Sequence, residues 1–246
     1  MPTVAVVIPA LNEEAALARV LADLPRAGDA LPGGAVLRRV VVADNGSADR
    51  TADVARAHGA EVAHEPRRGY GAACLAALEH LAASPPDVVA FVDADHSDDP
   101  RELPLVVAPV TEGRVDLCVG SRTLGALEPG AFSPAQAFGN WLAPALLRLA
   151  FGARVTDLGP FRAIRWDALA ALDMRDRDYG WTVEMQAKAF RARLRYAEVP
   201  VTYRRRRLGR SKVSGTLRGV WGAGTKILGT IARVRLASGG VRAPRG

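Results

Sequence analysis

Val88-Val89-Ala90-Phe91-Val92-Asp93-Ala94-Asp95 is the stretch that decides the fold. Five apolar residues in a row, with no polar alternation, predict a strand over 88–92 that is buried on both faces, as strands of parallel sheets are. Parallel neighbours need crossover connections, usually helices. The flanks supply them. Gly71–Ala83 has helical character and is ended by Ser84-Pro85-Pro86. On the other side Pro100 suits a first helical position, with Asp99 as N-cap and Glu102 closing a capping box.

The same unit repeats outward. Toward the N-terminus, Val4–Ile8 predicts a strand, followed by a helix from Glu13 to Leu24 that is capped by Asn12 and stopped at Pro25. Arg39–Ala43 predicts the next strand. A helix over 49–58 follows, closed by Gly59, and then a short strand over Glu61–His64. Toward the C-terminus, Leu117–Val119 continues the series. The second half is less regular: helices over 135–151 and 182–192, strands over 161–164 and 194–202, a polar loop over 204–214, and a helix from Leu217 to Leu236. Repeated βα units imply an α/β fold, a three-layer sandwich around a mainly parallel sheet.

In such a sheet, ligands collect beyond the C-terminal ends of the strands. Those positions hold Pro9-Ala10-Leu11-Asn12-Glu13, Asp44-Asn45-Gly46-Ser47 and Asp93-Ala94-Asp95. A dinucleotide-binding sheet would carry G-x-G-x-x-G after its first strand; P-A-L-N-E stands there instead, which argues against a nicotinamide or flavin oxidoreductase. Asp93 and Asp95, two residues apart in extended chain, point the same way and can share one divalent cation. Hard cations such as Mg²⁺ or Mn²⁺ favour such oxygens and complete their shell from phosphates and water. Asp98 and Asp99 read instead as turn and cap.

With 246 residues the chain can bury one substantial core. Its two cysteines, Cys74 and Cys118, have no metal-ligand spacing. They exclude a disulfide framework and point to a reducing, cytoplasmic setting. The most apolar stretch, from Trp141 to Phe151, contains Arg148 and is shorter than the roughly 18 residues a membrane span needs. The strand-like start, without a basic flank, does not read as a signal peptide. Net charge is +7, unevenly placed. Residues 191–246 carry 15 Lys and Arg against one acidic residue, Glu198, whereas 1–190 carry 18 basic and 25 acidic. A basic C-terminal quarter implies an anionic counterpart.

Taken in order, V-V-I-P-A-L-N-E-E, V-V-A-D-N-G-S-A-D-R-T, R-G-Y-G-A-A, F-V-D-A-D and V-G-S-R resemble the family 2 glycosyltransferases of GT-A fold. The pattern is most similar to the dolichyl- or polyprenyl-phosphate sugar transferases. T-D-L-G-P-F-R-A (156–163), Y-G-W-T-V-E-M-Q (179–186) and R-L-G-R-S-K (207–212) extend the resemblance over nearly the whole chain. It implies that Pro9, Ala10, Glu13 and Asp44 hold the base and ribose of a nucleoside-diphosphate sugar. It places the metal, Mg²⁺ or Mn²⁺, on Asp93 and Asp95. Arg122 would lie near the phosphates or acceptor, Asp157 and Arg162 on the acceptor side, and Arg207 and Lys212 on a loop that closes over the diphosphate. Glu184 matches a region where the family often keeps an acidic residue. It would act as base for a hydroxyl acceptor, or only orient the loop or the sugar if the acceptor is an ionised lipid phosphate. Gly69 and Gly71 read either as sites of close backbone approach or as a plain helix start. The Q-x-x-R-W signature of processive synthases is absent.

The resulting expectation is a metal-dependent, inverting hexosyltransferase. It would use a polyprenyl phosphate acceptor at the cytoplasmic membrane face, with 1–212 as catalytic domain and 213–246 as a basic amphipathic helix and tail of the same unit. Transfer to a soluble or glycan hydroxyl is the alternative, and a non-catalytic basic module a more distant one. No nucleic-acid signature accompanies the charge. Residues 217–236 place Leu217, Val220, Trp221, Ile227, Leu228, Ile231 and Val234 on one face, flanked by Arg218, Lys226, Arg233 and Arg235. Such a helix either lies on an anionic membrane or packs its apolar face on the sheet.

Overall fold

The computed structural model describes residues 1–206 and 217–236. Its elements follow the predicted order, with a short strand at 30–31 and a helix at 166–172 that the sequence did not announce: β1 (Thr3–Ala10), α1 (Glu14–Asp23), β2 (Ala30–Leu31), β3 (Ala35–Asp44), α2 (Thr51–Ala57), β4 (Glu61–His64), α3 (Tyr70–Ala82) and β5 (Val88–Phe91). The second half adds α4 (Leu103–Thr111), β6 (Leu117–Ser121), α5 (Pro134–Phe151), β7 (Arg162–Arg165), α6 (Trp166–Leu172), α7 (Trp181–Arg191), β8 (Tyr196–Pro200) and α8 (Leu217–Leu236). The strands form one sheet, ordered β2-β3-β1-β5-β7-β6-β8, with β4 also pairing β3. β1 runs parallel to β3 and β5, β3 to β4, and β6 to β8. β7 lies antiparallel between β5 and β6, and β2 antiparallel to β3, so the sheet is mixed.

Alternation along the strands builds the three layers. Val4, Val6 and Ile8 face Leu17 and Val20 of α1, Ala55 of α2 and Val106 of α4. Ala5 and Val7 share the opposite core with Cys74 and Leu81 of α3, Leu169 of α6, and Trp181 and Met185 of α7. Every residue of β5 is buried, as its unbroken apolar run requires. Both cysteines are buried and free.

Three local expectations are corrected. Glu13, not Asn12, holds the cap position of α1. Asn12 has φ 50°, and its side chain accepts from Ala48 N at 2.7 Å, joining the loops after β1 and β3. Asp99 does cap the turn at Pro100, but Glu102 accepts from Thr202 N and Oγ1, both at 2.7 Å, instead of closing a capping box. Ile227, Ile231 and Val234 of α8 pack with Leu147 of α5 and with Val183 and Ala187 of α7, so this apolar face meets helices rather than the sheet. The 212/213 boundary lies outside the described residues.

Candidate active site

The C-terminal ends of β1 and β3 are level, Ala10 beside Asp44, and β5 ends next to them with Val7 beside Phe91. The loops that leave these ends open a cleft of about 530 Å³, lined among others by Pro9, Ala10, Glu13, Asn45, Tyr70, Asp93, Asp95, Tyr203 and Arg206. A depression of about 590 Å³ between α3 and α6 is slightly larger. Its lining mixes Leu75, Leu78, Trp166, Leu169 and Met174 with Glu65, Glu79, Arg175 and Arg177, and none of Glu13, Asp44, Asp93 and Asp95 reaches it. The smaller cleft is therefore the candidate active site.

Two carboxylates on one wall define its electrostatics. Burial, reinforced by the neighbouring charge of Asp95, pushes the Asp93 carboxyl up to about 7; a hydrogen bond from Tyr70 and the charges of Arg122 and Arg206 oppose that rise. Tyr70 Oη donates to Asp93 Oδ1 at 3.1 Å. Asp95 Oδ1 accepts from Ser97 N at 2.9 Å, and its Oδ2 faces Arg206 Nη1 at 3.6 Å. Arg206 also pairs with Glu13. One guanidinium thus bridges the loop after β1 and the acidic pair after β5. Behind them Asp98 is 1% exposed, and among the described residues neither carboxylate oxygen has a hydrogen-bond partner. Burial, then the charge of Asp93, raises its pKa well above the carboxylate range. Asp98, read from the sequence as a turn residue, is a buried acid.

Among the described residues, no group of three or more His, Cys, Asp or Glu side chains is placed to hold a metal. Asp93 and Asp95 by themselves offer oxygen donors from one wall of an open cleft. That set suits a hard divalent cation whose remaining ligands are phosphate and water.

The rim is built by the chain's own close approaches. Asn45 donates through Nδ2 to Glu65 O (3.1 Å) and Arg67 O (2.6 Å), and its Oδ1 accepts from Gly69 N at 2.8 Å. A Cβ at Gly69 would sit 2.1 Å from Arg177 O, and one at Gly71 2.0 Å from Asp176 O. The glycines therefore admit the backbone at 176–177, which accepts from Ala72 N at 2.8 Å. Glu184 organises the same segment: its carboxylate accepts from Asp176 N at 2.7 Å, from Arg175 N, and pairs with Lys188 Nζ at 2.8 Å. The segment carries Asp178 and Tyr179 to the cleft.

Of the residues singled out from the sequence, Pro9, Ala10, Glu13, Asp93 and Asp95 meet on the cleft wall. Asp44 is buried beside it, accepting from Ser47 N and contacting His64 Nδ1 at 3.2 Å. Arg122, Asp157, Arg162 and Glu184 do not line it. Arg122 donates through Nε and Nη2 to both oxygens of Asp157, at 2.8 and 2.6 Å. Its guanidinium lies 4.7 and 4.9 Å from the ring centroids of Phe132 and Tyr203, which also contact each other. Fully buried Arg162 donates to the carbonyls of Leu158, Gly159 and Thr182. Arg207 and Lys212 lie outside the described residues. Sequence reasoning missed Arg206, Tyr70, Tyr203 and Asn45. Tyr70 and Asn45 stood inside quoted motifs; Arg206 stood one residue before the basic motif.

Residues 5–173 match the glycosyl transferase family 2 model, and the chain belongs to that family of glycosyltransferases. An uncharacterized glycosyltransferase of Mycobacterium tuberculosis is 41% identical over 218 residues, covering 88% of this chain and 92% of the relative. The undecaprenyl-phosphate mannosyltransferase of Micrococcus luteus is 32% identical over 247 residues, covering 94% and 98%. A dolichyl-phosphate hexose transferase of Haloferax volcanii is 34% identical over 204 residues, covering 82% and 83%. Among solved structures, glucosyl-3-phosphoglycerate synthase from Mycobacterium tuberculosis superposes with a TM-score of 0.72 at 25% identity, over 95% of this chain and 80% of that one. That crystal contains Mn²⁺, UDP-glucose and phosphoglyceric acid. The fold is that of the GT-A glycosyltransferases.

Proposed function

We propose that this enzyme moves a hexose, with inversion, from a nucleoside-diphosphate sugar to a polyprenyl phosphate, working as a peripheral protein at the cytoplasmic face of a membrane. The observation that carries the donor side is the Asp93–Asp95 pair facing Arg206 across a cleft at the strand ends. Support for the acceptor comes from the relatives named as polyprenyl- and dolichyl-phosphate transferases.

In this reading Pro9, Ala10, Glu13 and Asp44 hold the base and ribose. Asp93 and Asp95 hold Mg²⁺ or Mn²⁺, which when bound offsets the charge that grows on the leaving diphosphate. Arg206 adds cationic charge on the same side; the role expected for Arg207 and Lys212, closing over the diphosphate, falls outside the described residues. An acceptor phosphate oxygen attacks the anomeric carbon while the bond to the diphosphate oxygen breaks, and the nucleoside diphosphate leaves. The acceptor is already ionised, so no base is needed. Glu184, held by two backbone N–H groups and Lys188, then positions the loop at 175–180. Arg122 and Asp157 shape the acceptor side through Tyr203, and Arg162 fixes the backbone at 158–159.

Labelling decides the acceptor. Purified enzyme, a radioactive sugar nucleotide, Mn²⁺ and long-chain polyprenyl phosphate should yield label in the organic phase, abolished by chelator. Label confined to water-soluble products would overturn the lipid acceptor. It would favour the second reading, transfer to a small soluble acceptor, which the phosphoglyceric acid bound in the structural neighbour supports.

A further inference from the structure

The inward face of α8 leaves a different surface to be explained. On α5, Ala143 and Leu147 are buried, while Phe138, Trp141 and Leu149 are 47%, 67% and 85% exposed. Their spacing puts them along one side of the helix. The Phe138 and Trp141 rings lie 6.0 Å apart, forming a continuous aromatic patch. The neighbouring α8, packed on α5, adds Leu228 at 48% and Leu236 at 78% exposure. Large apolar side chains grouped this way on a surface mark an interaction site.

Charge selects the partner. No acidic residue occurs between Glu128 and Asp157, or anywhere after Glu198. The two helices and the turn after α5 carry exposed Arg148, Arg154 and Arg235. Lys226 is turned the other way, toward Asp176 and Asp178. A two-fold contact with a second copy would bring this face against itself, arginine against arginine with no carboxylate between. An anionic bilayer matches both components, taking the Trp, Phe and Leu side chains into the headgroup boundary and the arginines against lipid phosphates. The patch also adjoins the cleft, since Gln136 in the first turn of α5 lines it.

We infer that the exposed side of α5, flanked by the outer edge of α8, is the surface on which this enzyme rests on an anionic membrane. For its purpose this rests on the lipid-acceptor reading; its evidence, exposure and charge, is separate. The membrane-facing element is then α5, and the apolar face of α8 serves to hold the helix pair together.

Vesicle flotation tests it. The whole protein should bind vesicles of phosphatidylglycerol and phosphatidylcholine, bind pure phosphatidylcholine far more weakly, and be released by high salt. Phe138→Ser/Trp141→Ser/Leu149→Ser should lose binding by more than tenfold, and each Arg→Gln change at 148, 154 or 235 should cost about fivefold. Circular dichroism should show all variants folded, and transfer to a short water-soluble acceptor analogue should persist. A wild type that ignores anionic vesicles, or a folded triple variant that binds them undiminished, overturns the surface. So does a wild-type dimer that the triple change converts to monomer, because the face would then join two copies. Vesicle binding without transfer to any lipid phosphate would sink the acceptor reading and leave this surface standing.

Discussion

Replacing Gly71 by alanine adds one methyl group at a place where helix propensity and packing make opposite demands. Gly71 lies in the first turn of α3, and inside a helix alanine is favoured over glycine by about 1 kcal/mol. The new Cβ, however, would fall 2.0 Å from Asp176 O, 2.8 Å from Asp176 C and 2.9 Å from Arg177 C. These are backbone atoms, and no flexible side chain stands there to give way. Relief means moving the 175–178 segment outward, which stretches the hydrogen bond from Ala72 N to Arg177 O and the pair accepted by Glu184. Overpacking of this kind costs about 1–3 kcal/mol or more, and a lost hydrogen bond about 1 kcal/mol. Set against the propensity gain, the net loss is about 2 kcal/mol.

A control with the same chemistry exists at Gly229, in α8, where an added Cβ meets nothing within 4 Å. Gly229→Ala should gain up to about 1 kcal/mol. At about 2–4 °C per kcal/mol for a chain of this size, thermal unfolding should show Gly71→Ala falling by about 4–8 °C and Gly229→Ala rising by a few degrees. Because the displaced segment brings Asp178 and Tyr179 to the cleft, KM for the sugar nucleotide should rise in Gly71→Ala alone. If Gly71→Ala melts at or above the parent temperature, the close approach of 176–177 is not what requires this glycine.

The raised Asp93 pKa has a signed consequence. Its proton is held more tightly in the folded chain than in the unfolded one, so stability from this group is full below about pH 4 and is lost as pH rises through about 7. Metal-free urea titrations should therefore show Asp93→Asn gaining on the wild type as pH increases over that window; a pH-independent difference would refute the assignment. Arg122→Met leaves the fully buried Asp157 carboxylate without its guanidinium and should cost about 3–5 kcal/mol in urea unfolding. Asp157→Asn added to it should recover part of that, whereas an unaltered single variant would mean the pair does not brace the fold. Arg206 sits between Glu13 and Asp95, so Arg206→Gln should strengthen calorimetric binding of Mn²⁺ alone yet weaken binding of nucleoside diphosphate in its presence. Changes of the same sign in both titrations would remove Arg206 from the diphosphate side.

What the sequence displayed and what it hid divide along contact range. Val88–Phe91 and Glu61–His64 were legible because an apolar run and its turn signals are local. Pro9, Glu13, Asp93 and Asp95 were legible for a related reason: each ends a strand of a parallel series, and parallel ends share one edge. The direction of β7 was not, because a long excursion through α5 separates it from β6, and it returns antiparallel between β5 and β6. Gly71 gave two readings, since the backbone it admits lies a hundred residues further on. Glu184 looked like a possible base because sequence shows an acid but not the two N–H groups and the lysine that occupy it. Within Arg204-Arg205-Arg206-Arg207, nothing local says which guanidinium turns inward. Arg204 goes to Asp99 and Arg206 to Glu13 and Asp95.

Lys226 joins the two ends of the functional reading. Its ammonium lies 3.0 Å from Asp178 Oδ2 and 3.3 Å from Asp176 Oδ1. Asp178 lines the donor cleft, and Asp176 is the residue whose carbonyl presses on Gly71. The same helix packs through Ile231 and Val234 against α5, whose outer side carries the exposed aromatic patch. The surface assigned to the bilayer and the 176–178 wall of the cleft are therefore linked through α8 and the two charge contacts of Lys226. Interiors of this kind are close-packed and transmit displacement rather than absorb it. A shift of α8 against the body must either carry the 176–178 segment with it or break two charge contacts at the cleft rim. Seating α5 and α8 on a membrane thus bears on the same backbone that Gly69, Gly71 and Glu184 hold in place.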